Sequence, residues 1–266
     1  MAEKECPGAG TPGCLGTFED RSSNQCRRWC SNACRNRVLR REGTRDRGHL
    51  PQNTIVELKH FSKLTPAGKQ RVLLGQEGFR IVGFDIEATH LKANVGRILC
   101  VSFKPLDGDV YTFHAHERRF MRRDVYDDSA LAAATRDELE KFDVVVGWNS
   151  KMFDIKFINA RNLRADQRTK VAQYHVDGMW SWRSKAAAWS GLDAVQKFVA
   201  FDGPEKSTIA WDQWMRCIGW DAKLRKQAMD DIVHHCELDV TVLELVYKLM
   251  VRNDVVRGLR RDGGIL

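Results

Sequence analysis

The chain has 266 residues, 43% hydrophobic and 29% charged, which suits a globular protein of one generous domain with a small appendage. No apolar run reaches the roughly 18–20 residues of a membrane span, and the start, MAEKECPGAG, lacks the apolar core of a secretory signal, so a cytoplasmic protein without membrane contact is expected. The net charge of +8 is concentrated at one end: residues 1–75 hold 14 Lys and Arg against 7 Asp and Glu, and the other 191 hold 29 against 28.

Eight arginines lie between Arg27 and Arg47. Clustered arginine favours phosphate through bidentate contacts and counterion release, so nucleic acid is the expected partner. Five cysteines, Cys6, Cys14, Cys26, Cys30 and Cys34, share this region. A stretch so short and polar buries little core and needs a staple, which in a reducing compartment is zinc. Cys30 and Cys34 are one helical turn apart and can form one side of a tetrahedral site. WCSNACRNRVLRR (29–41) resembles the C-terminal half of small zinc fingers of the FCS type. The resemblance implies one structural Zn²⁺ completed by Cys6 and Cys14, whose seven-residue spacer departs from the usual C-x-x-C. Cys26 competes for the fourth position.

The basic zinc module is expected over 1–41 and a linker over 42–77. Within the linker, REGTRDRGHLPQN is turn-rich, and TPAGKQRVLLGQ begins a short helix with Pro66 in its first turn. The main domain spans 78–252, and 253–266 forms a basic tail.

In the main domain, RIVGFDIEATHL (80–91) reads as a buried strand ending in Asp85 and Glu87. Side chains two apart on a strand share a face, so two carboxylates emerge together and call for a hard cation between them, Mg²⁺ or Mn²⁺. The bland alternative is a strand end with two solvated acids. ILCVSFKPL (98–106) and DVYTFHAH (109–116) form a hairpin through Asp107-Gly108. A helix over 129–142 leads into a short buried strand, DVVVGWN (143–149), and then a helix that ends near Leu163. Asp154 falls in the first turn of that helix, where the dipole favours a carboxylate and where capping is the routine role. The order β–β–β–α–β predicts an α/β fold with a mixed sheet. Farther on, MDDIVHHCELDVTVLELVYKLM (229–250) carries a helical apolar stripe with Asp239 beside it and His234 and His235 one turn earlier.

These stretches together resemble the DnaQ-like (DEDD) 3′–5′ exonuclease superfamily. FDIEATHL is similar to its first motif, F-D-x-E-T-T-G-L, with Ala88 and His90 replacing Thr and Gly. GWNSKMFD is similar to the second, N-x-x-x-F-D, as in the proofreading domains of family B DNA polymerases, and HHCELDV to the third. SGLDAVQKFVAF (190–201) is similar to the helix between the last two, and the nearest branch is the stand-alone predicted exonucleases. The resemblance implies a ribonuclease H-like fold, a mixed sheet flanked by helices, with Asp85, Glu87, Asp154 and Asp239 around two Mg²⁺ or Mn²⁺ ions about 3.5–4 Å apart. Asp85 would bridge both ions, Glu87 and Asp239 would hold one, and Asp154 the other. A histidine would take the proton of the attacking water. The His-type spacing gives His234 and the Tyr-type position His235, which is preferred. Asn149, Phe153 and Thr89 would be substrate-side positions, with Phe153 also suited to packing.

The implied activity is two-metal hydrolysis of phosphodiester bonds from the 3′ ends of single-stranded DNA or RNA. The rivals are a structure-specific RNase H-like endonuclease and a non-catalytic adaptor that binds nucleic acid through its zinc module. His114 and His116 read as a surface pair on one strand face. Six tryptophans between Trp180 and Trp220 read as core that could also stack bases. Cys100, Cys217 and Cys236 read as reduced core residues.

Overall fold

Ile81, Val82, Phe84 and Ile86 are all buried, and their strand, Ile81–Ala88, lies inside a sheet covered on both faces. The computed structural model describes residues 3–5, 17–19, 61–169, 174–186, 191–199, 203–204, 207–256 and 260–261. The chain divides into two compact units, Met1–His49 and Leu50–Leu266. In the first unit, β1 (Glu3–Glu5) pairs antiparallel with β2 (Thr17–Glu19), with Lys4 opposite Phe18. Cys6, Cys14, Cys26, Cys30 and Cys34, and with them the expected zinc site, lie outside the described residues.

The second unit opens with α1 (Pro66–Leu73), capped by Thr65, whose hydroxyl accepts from Gly68 N at 3.2 Å, with Pro66 in the first turn as expected. The strands β3 (Ile81–Ala88), β4 (Ile98–Pro105), β5 (Tyr111–His114), β6 (Val144–Gly147), β7 (Tyr174–Asp177) and β8 (Arg260–Arg261) form one sheet in the order β5-β4-β3-β6-β7-β8. The first three are an antiparallel meander turned at Asp107, which takes a left-handed φ of 62°. β3, β6 and β7 run parallel, and β8, inside the segment read as a tail, pairs antiparallel with β7. β5 ends at His114, so the expected run to His116 leaves the strand early.

The helices are α2 (Ser129–Leu139), α3 (Asp154–Arg164), α4 (Gly178–Arg183), α5 (Leu192–Phe198), α6 (Trp211–Arg216) and α7 (Ala222–Arg252). Val82, Phe84 and Ile86 share a buried cluster with Leu131 and Leu139 of α2 and Phe157 and Ile158 of α3. The alternate residues of β3 face α7: a Cβ on Gly83 would lie 3.5 Å from Leu243. Leu243, Val246, Tyr247 and Met250 of α7 close the core against Ile81, Val144 and Val146. α7 starts two turns before the apolar stripe does, because Asp221 accepts from the amides of Lys223 and Leu224 and its first turns are exposed. β7, α4 and α6 had no sequence expectation.

Candidate active site

β3 and β6 pair only from Ile81–Val144 to Gly83–Val146. Beyond that point β6 turns away through Gly147, where a Cβ would come within 2.4 Å of both Cβ and Oγ of Ser150, so only glycine permits so tight a turn. The divergence leaves the last residues of β3 standing past their parallel neighbour. Asp85 and Glu87 point from this end to the face covered by α7, at the carboxyl ends of three parallel strands, where open α/β sheets place their sites.

The gap beside β3 is closed by Asp154, the first residue of α3. Its Oδ1 accepts from Ile86 N, the amide between Asp85 and Glu87, at 3.1 Å. Asp154 therefore braces the strand end instead of serving only its own helix. Its side chain is 2% exposed, and burial pushes its pKa up to about 7. Hydrogen bonds from its own amide and that of Ile86 oppose the rise, while the charges of Glu87 and Asp177 add to it. Asp177, at the end of β7, straps the 147–151 turn by accepting from Asn149 N at 3.1 Å and Lys151 N at 3.0 Å. Sequence reading singled out four acids and not Asp177.

α7 contributes the adjacent His235 and Cys236, with Asp239 one turn later. Cys236, a fully buried thiol held neutral by that burial, lies 3.4 Å from Asp85 O and 3.6 Å from Asp85 Oδ2. His235 Nε2 stands 3.7 Å from Glu87 Oε1 and 3.9 Å from Asp239 Oδ2. The other ring nitrogen, Nδ1, is 2.8 Å from Ser207 Oγ. His234 is exposed on another side of the helix, so only His235 meets the carboxylates. α6 completes the arrangement: Trp214 Nε1 donates to Glu87 Oε2 at 2.7 Å, and its ring lies edge-on to His235.

A family model described as the RNase_H superfamily matches residues 82–251. The chain belongs to the RNase_H superfamily. Among solved structures, this RNase_H-superfamily chain is similar to the family B DNA polymerase from the hyperthermophilic archaeon Pyrobaculum calidifontis. The two are 18% identical, with a TM-score of 0.50 over 67% of this chain and 26% of the polymerase. That likeness is one of fold, and the chain spans about a quarter of the polymerase's length. No curated protein matches it.

Within this RNase_H-superfamily domain the expected acids come from β3, the start of α3 and the middle of α7, exposed to different degrees. Among the described residues no three His, Cys, Asp or Glu side chains are gathered closely enough to hold a metal ion as they stand. Asp154 and Glu87 each direct an oxygen to a protein donor, Ile86 N and Trp214 Nε1. The donor set nevertheless suits a hard divalent cation. It is all carboxylate oxygen, and the acid at its centre is buried with a pKa that a nearby positive charge would bring down.

The three expected substrate-side residues have structural duties. Asn149 takes the left-handed φ of 61° that the turn needs, and its carbonyl accepts from Met152 and Phe153. Phe153 is partly buried and packs on Phe157. Thr89 is buried, and its hydroxyl accepts from Arg97 N at 3.1 Å. The tryptophans divide: Trp148, Trp182 and Trp214 pack on the core, Trp180, Trp211 and Trp220 are exposed, and Trp189 lies outside the described residues. Cys100, Cys217 and Cys236 are free and buried, as expected. No helix among the described residues is long and apolar enough to cross a membrane.

Proposed function

We propose that the chain is a metal-dependent nuclease of the DnaQ-like type, hydrolysing phosphodiester bonds from the 3′ ends of single-stranded DNA or RNA. The observation that carries this reading is His235 Nε2 standing between Glu87 and Asp239, with Glu87 two residues from Asp85 on one strand and Asp154 bonded to the amide between them. Asp85, Glu87, Asp154 and Asp239 would hold two Mg²⁺ or Mn²⁺ ions, which supply Lewis acidity for in-line displacement at phosphorus.

The chain's own groups then divide the remaining work. His235 is the general base, taking the proton of the attacking water at Nε2. That role requires Ser207 Oγ to accept from Nδ1–H, which leaves the lone pair on Nε2 toward the carboxylates. Trp214 fixes one oxygen of Glu87 and leaves the other facing His235. Asp154 holds the end of β3 through Ile86, so its neighbours on the strand keep a fixed spacing. The ring of Trp211, 6.1 Å from Trp214 and 65% exposed, offers a face on which a base of the incoming strand can stack.

The test is digestion of 5′-labelled single-stranded DNA and RNA by wild type and Asp85→Asn, with Mg²⁺, Mn²⁺ or EDTA. A metal-dependent ladder shortening from the 3′ end, absent from the variant, is expected. Binding without cleavage, unchanged by Asp85→Asn, would replace this reading with the adaptor.

A further inference from the structure

None of the four acids lines a cavity of about 630 Å³ that the second unit contains. It is lined by Arg97, His114, His116 and Arg122, and by Cys217 and Arg225 from the α6–α7 corner. Arg97 is 6% exposed, yet its Nε is a buried donor without a hydrogen-bond partner. His114 Nδ1 is in the same condition. Both residues line the cavity, and two buried polar nitrogens unanswered by protein are uncommon.

The surrounding charges add to that observation. Asp128 is the acid with the largest electrostatic effect on Arg97, but it is already committed. It forms a fully buried ion pair with Arg161 at 2.6 Å and accepts from Ile98 N at 2.7 Å. Two buried guanidinium groups thus share one buried carboxylate. The acids lining the cavity are also engaged: Asp124 with Tyr126 N at 2.8 Å, Asp127 with Ser129 N at 2.9 Å, and Asp230 with Lys226 at 2.5 Å. Arg225 adds a cation on the same wall and gives one N–H to Gly219 O. Burial lowers the pKa of His116, whose Nε2 lies 2.9 Å from Cys217 O.

We propose that this cavity is a phosphate-binding site for a small ligand of nucleotide size. A phosphate group is an acceptor-only anion, suited to the guanidinium donors of Arg97 and Arg225 and to the Nδ1–H tautomer of His114, on a lining where Arg97, Arg122, Arg225 and Lys226 outnumber Asp124, Asp127 and Asp230. The volume is within the roughly 300–1,000 Å³ of small-molecule sites and exceeds what a lone phosphate fills. Ala115, Val125 and Met229 give it an apolar wall for a flat base. The site does not depend on the nuclease reading, although the α6 segment touches both: Trp214 donates to Glu87, and the Cys217 carbonyl meets His116.

The experiment is isothermal titration of the full chain, in buffer without added divalent metal, with inorganic phosphate, a nucleoside 5′-monophosphate and a short oligonucleotide. Wild type is expected to bind the monophosphate more tightly than phosphate. Arg97→Met and Arg225→Gln should each weaken that binding at least tenfold, and Asp154→Asn should leave it unchanged. Thermal melts check folding, and if Arg97→Met does not fold, Arg225→Gln decides. Binding of the oligonucleotide alone, with the same loss in Arg225→Gln, keeps the site and assigns its phosphate to a strand. No binding of any probe, or binding that survives Arg225→Gln undiminished, overturns the proposal.

Discussion

The indole N–H of Trp214 donates to Oε2 of Glu87 at 2.7 Å, joining residues 127 positions apart and fixing the second acid of β3 from outside the sheet. This bond leaves Oε1 toward His235. Groups that orient a metal-ligating carboxylate commonly change metal affinity or activity about 10–100-fold when removed. Trp214→Phe deletes the donor and leaves a smaller aromatic ring on the core. It is expected to lower nuclease activity by that order and shift the Mg²⁺ dependence to higher concentration, with little change in melting temperature. An unchanged metal titration would show that Glu87 needs no help from the indole.

The two histidines separate just as cleanly. His235 is buried between Glu87 and Asp239, whereas His234 is exposed. Loss of a general base costs roughly 10²–10⁴-fold. His235→Gln should therefore reduce the turnover rate by that amount and flatten the acid limb of the pH–rate profile, while His234→Gln stays near wild type. Ser207→Ala should lie between them, because Nδ1 then loses its partner and the tautomer is no longer fixed. Equal losses in both histidine variants would remove His235 from the proton transfer.

The two histidines also show where sequence ceases to inform. The meander, its Asp107-Gly108 turn and the strands and helices bearing Asp85, Glu87 and Asp154 were legible, because alternation, capping residues and apolar runs are local signals. Choosing between His234 and His235 required the rotation of α7 against β3, which adjacent residues of one type do not reveal. Trp214 and Ser207 were illegible as site residues for a related reason: each reaches its partner across the fold, and their segments carry no periodicity. The same holds for His114 and His116. Read as a surface pair, they instead line a cavity, since β5 ends at His114 and the chain then turns inward under α6. β7 was missed because YHVD is short and half polar, its burial coming from neighbours on both sides.

The buried pair of Arg161 and Asp128 makes a prediction about stability. Arg161 Nε donates to Asp128 Oδ1 at 2.7 Å, and its other nitrogens bond the carbonyls of Ala93 and Tyr126. One side chain thus ties α3, which begins with Asp154, to the start of α2 and the loop before β4. Removing one member of a buried pair costs about 3–5 kcal/mol, and less here to the extent that Arg97 still offsets the charge of Asp128. Arg161→Met should lower the stability measured by urea unfolding by that order. Adding Asp128→Asn should recover part of it, since the neutral amide still accepts from Ile98 N. Recovery of nothing would place the loss in the carbonyl bonds of Arg161 and not in the orphaned charge.

The carboxyl of Asp154 makes stability depend on pH in a direction opposite to that of a carboxyl whose pKa is lowered by folding. In the folded protein it keeps its proton up to about pH 7, whereas its ordinary value is 3.8. Between those values the folded state binds more protons than the unfolded state, so stability falls as pH rises from about 4 to about 7. Asp154→Asn retains an acceptor for Ile86 N but has no charge to desolvate. The variant should therefore gain on wild type through this window, by several degrees in melting temperature at pH 8 and by little at pH 4. A divalent cation favours the ionised carboxylate and acts in the reverse sense. Mg²⁺ or Mn²⁺ should raise the melting temperature of wild type at pH 8 more than that of Asp154→Asn, narrowing the gap. Melts at pH 4 and pH 8, with and without the ion, separate the two effects. A difference between the proteins that ignores both pH and metal would mean that Asp154 is neither the titrating group nor part of a cation site.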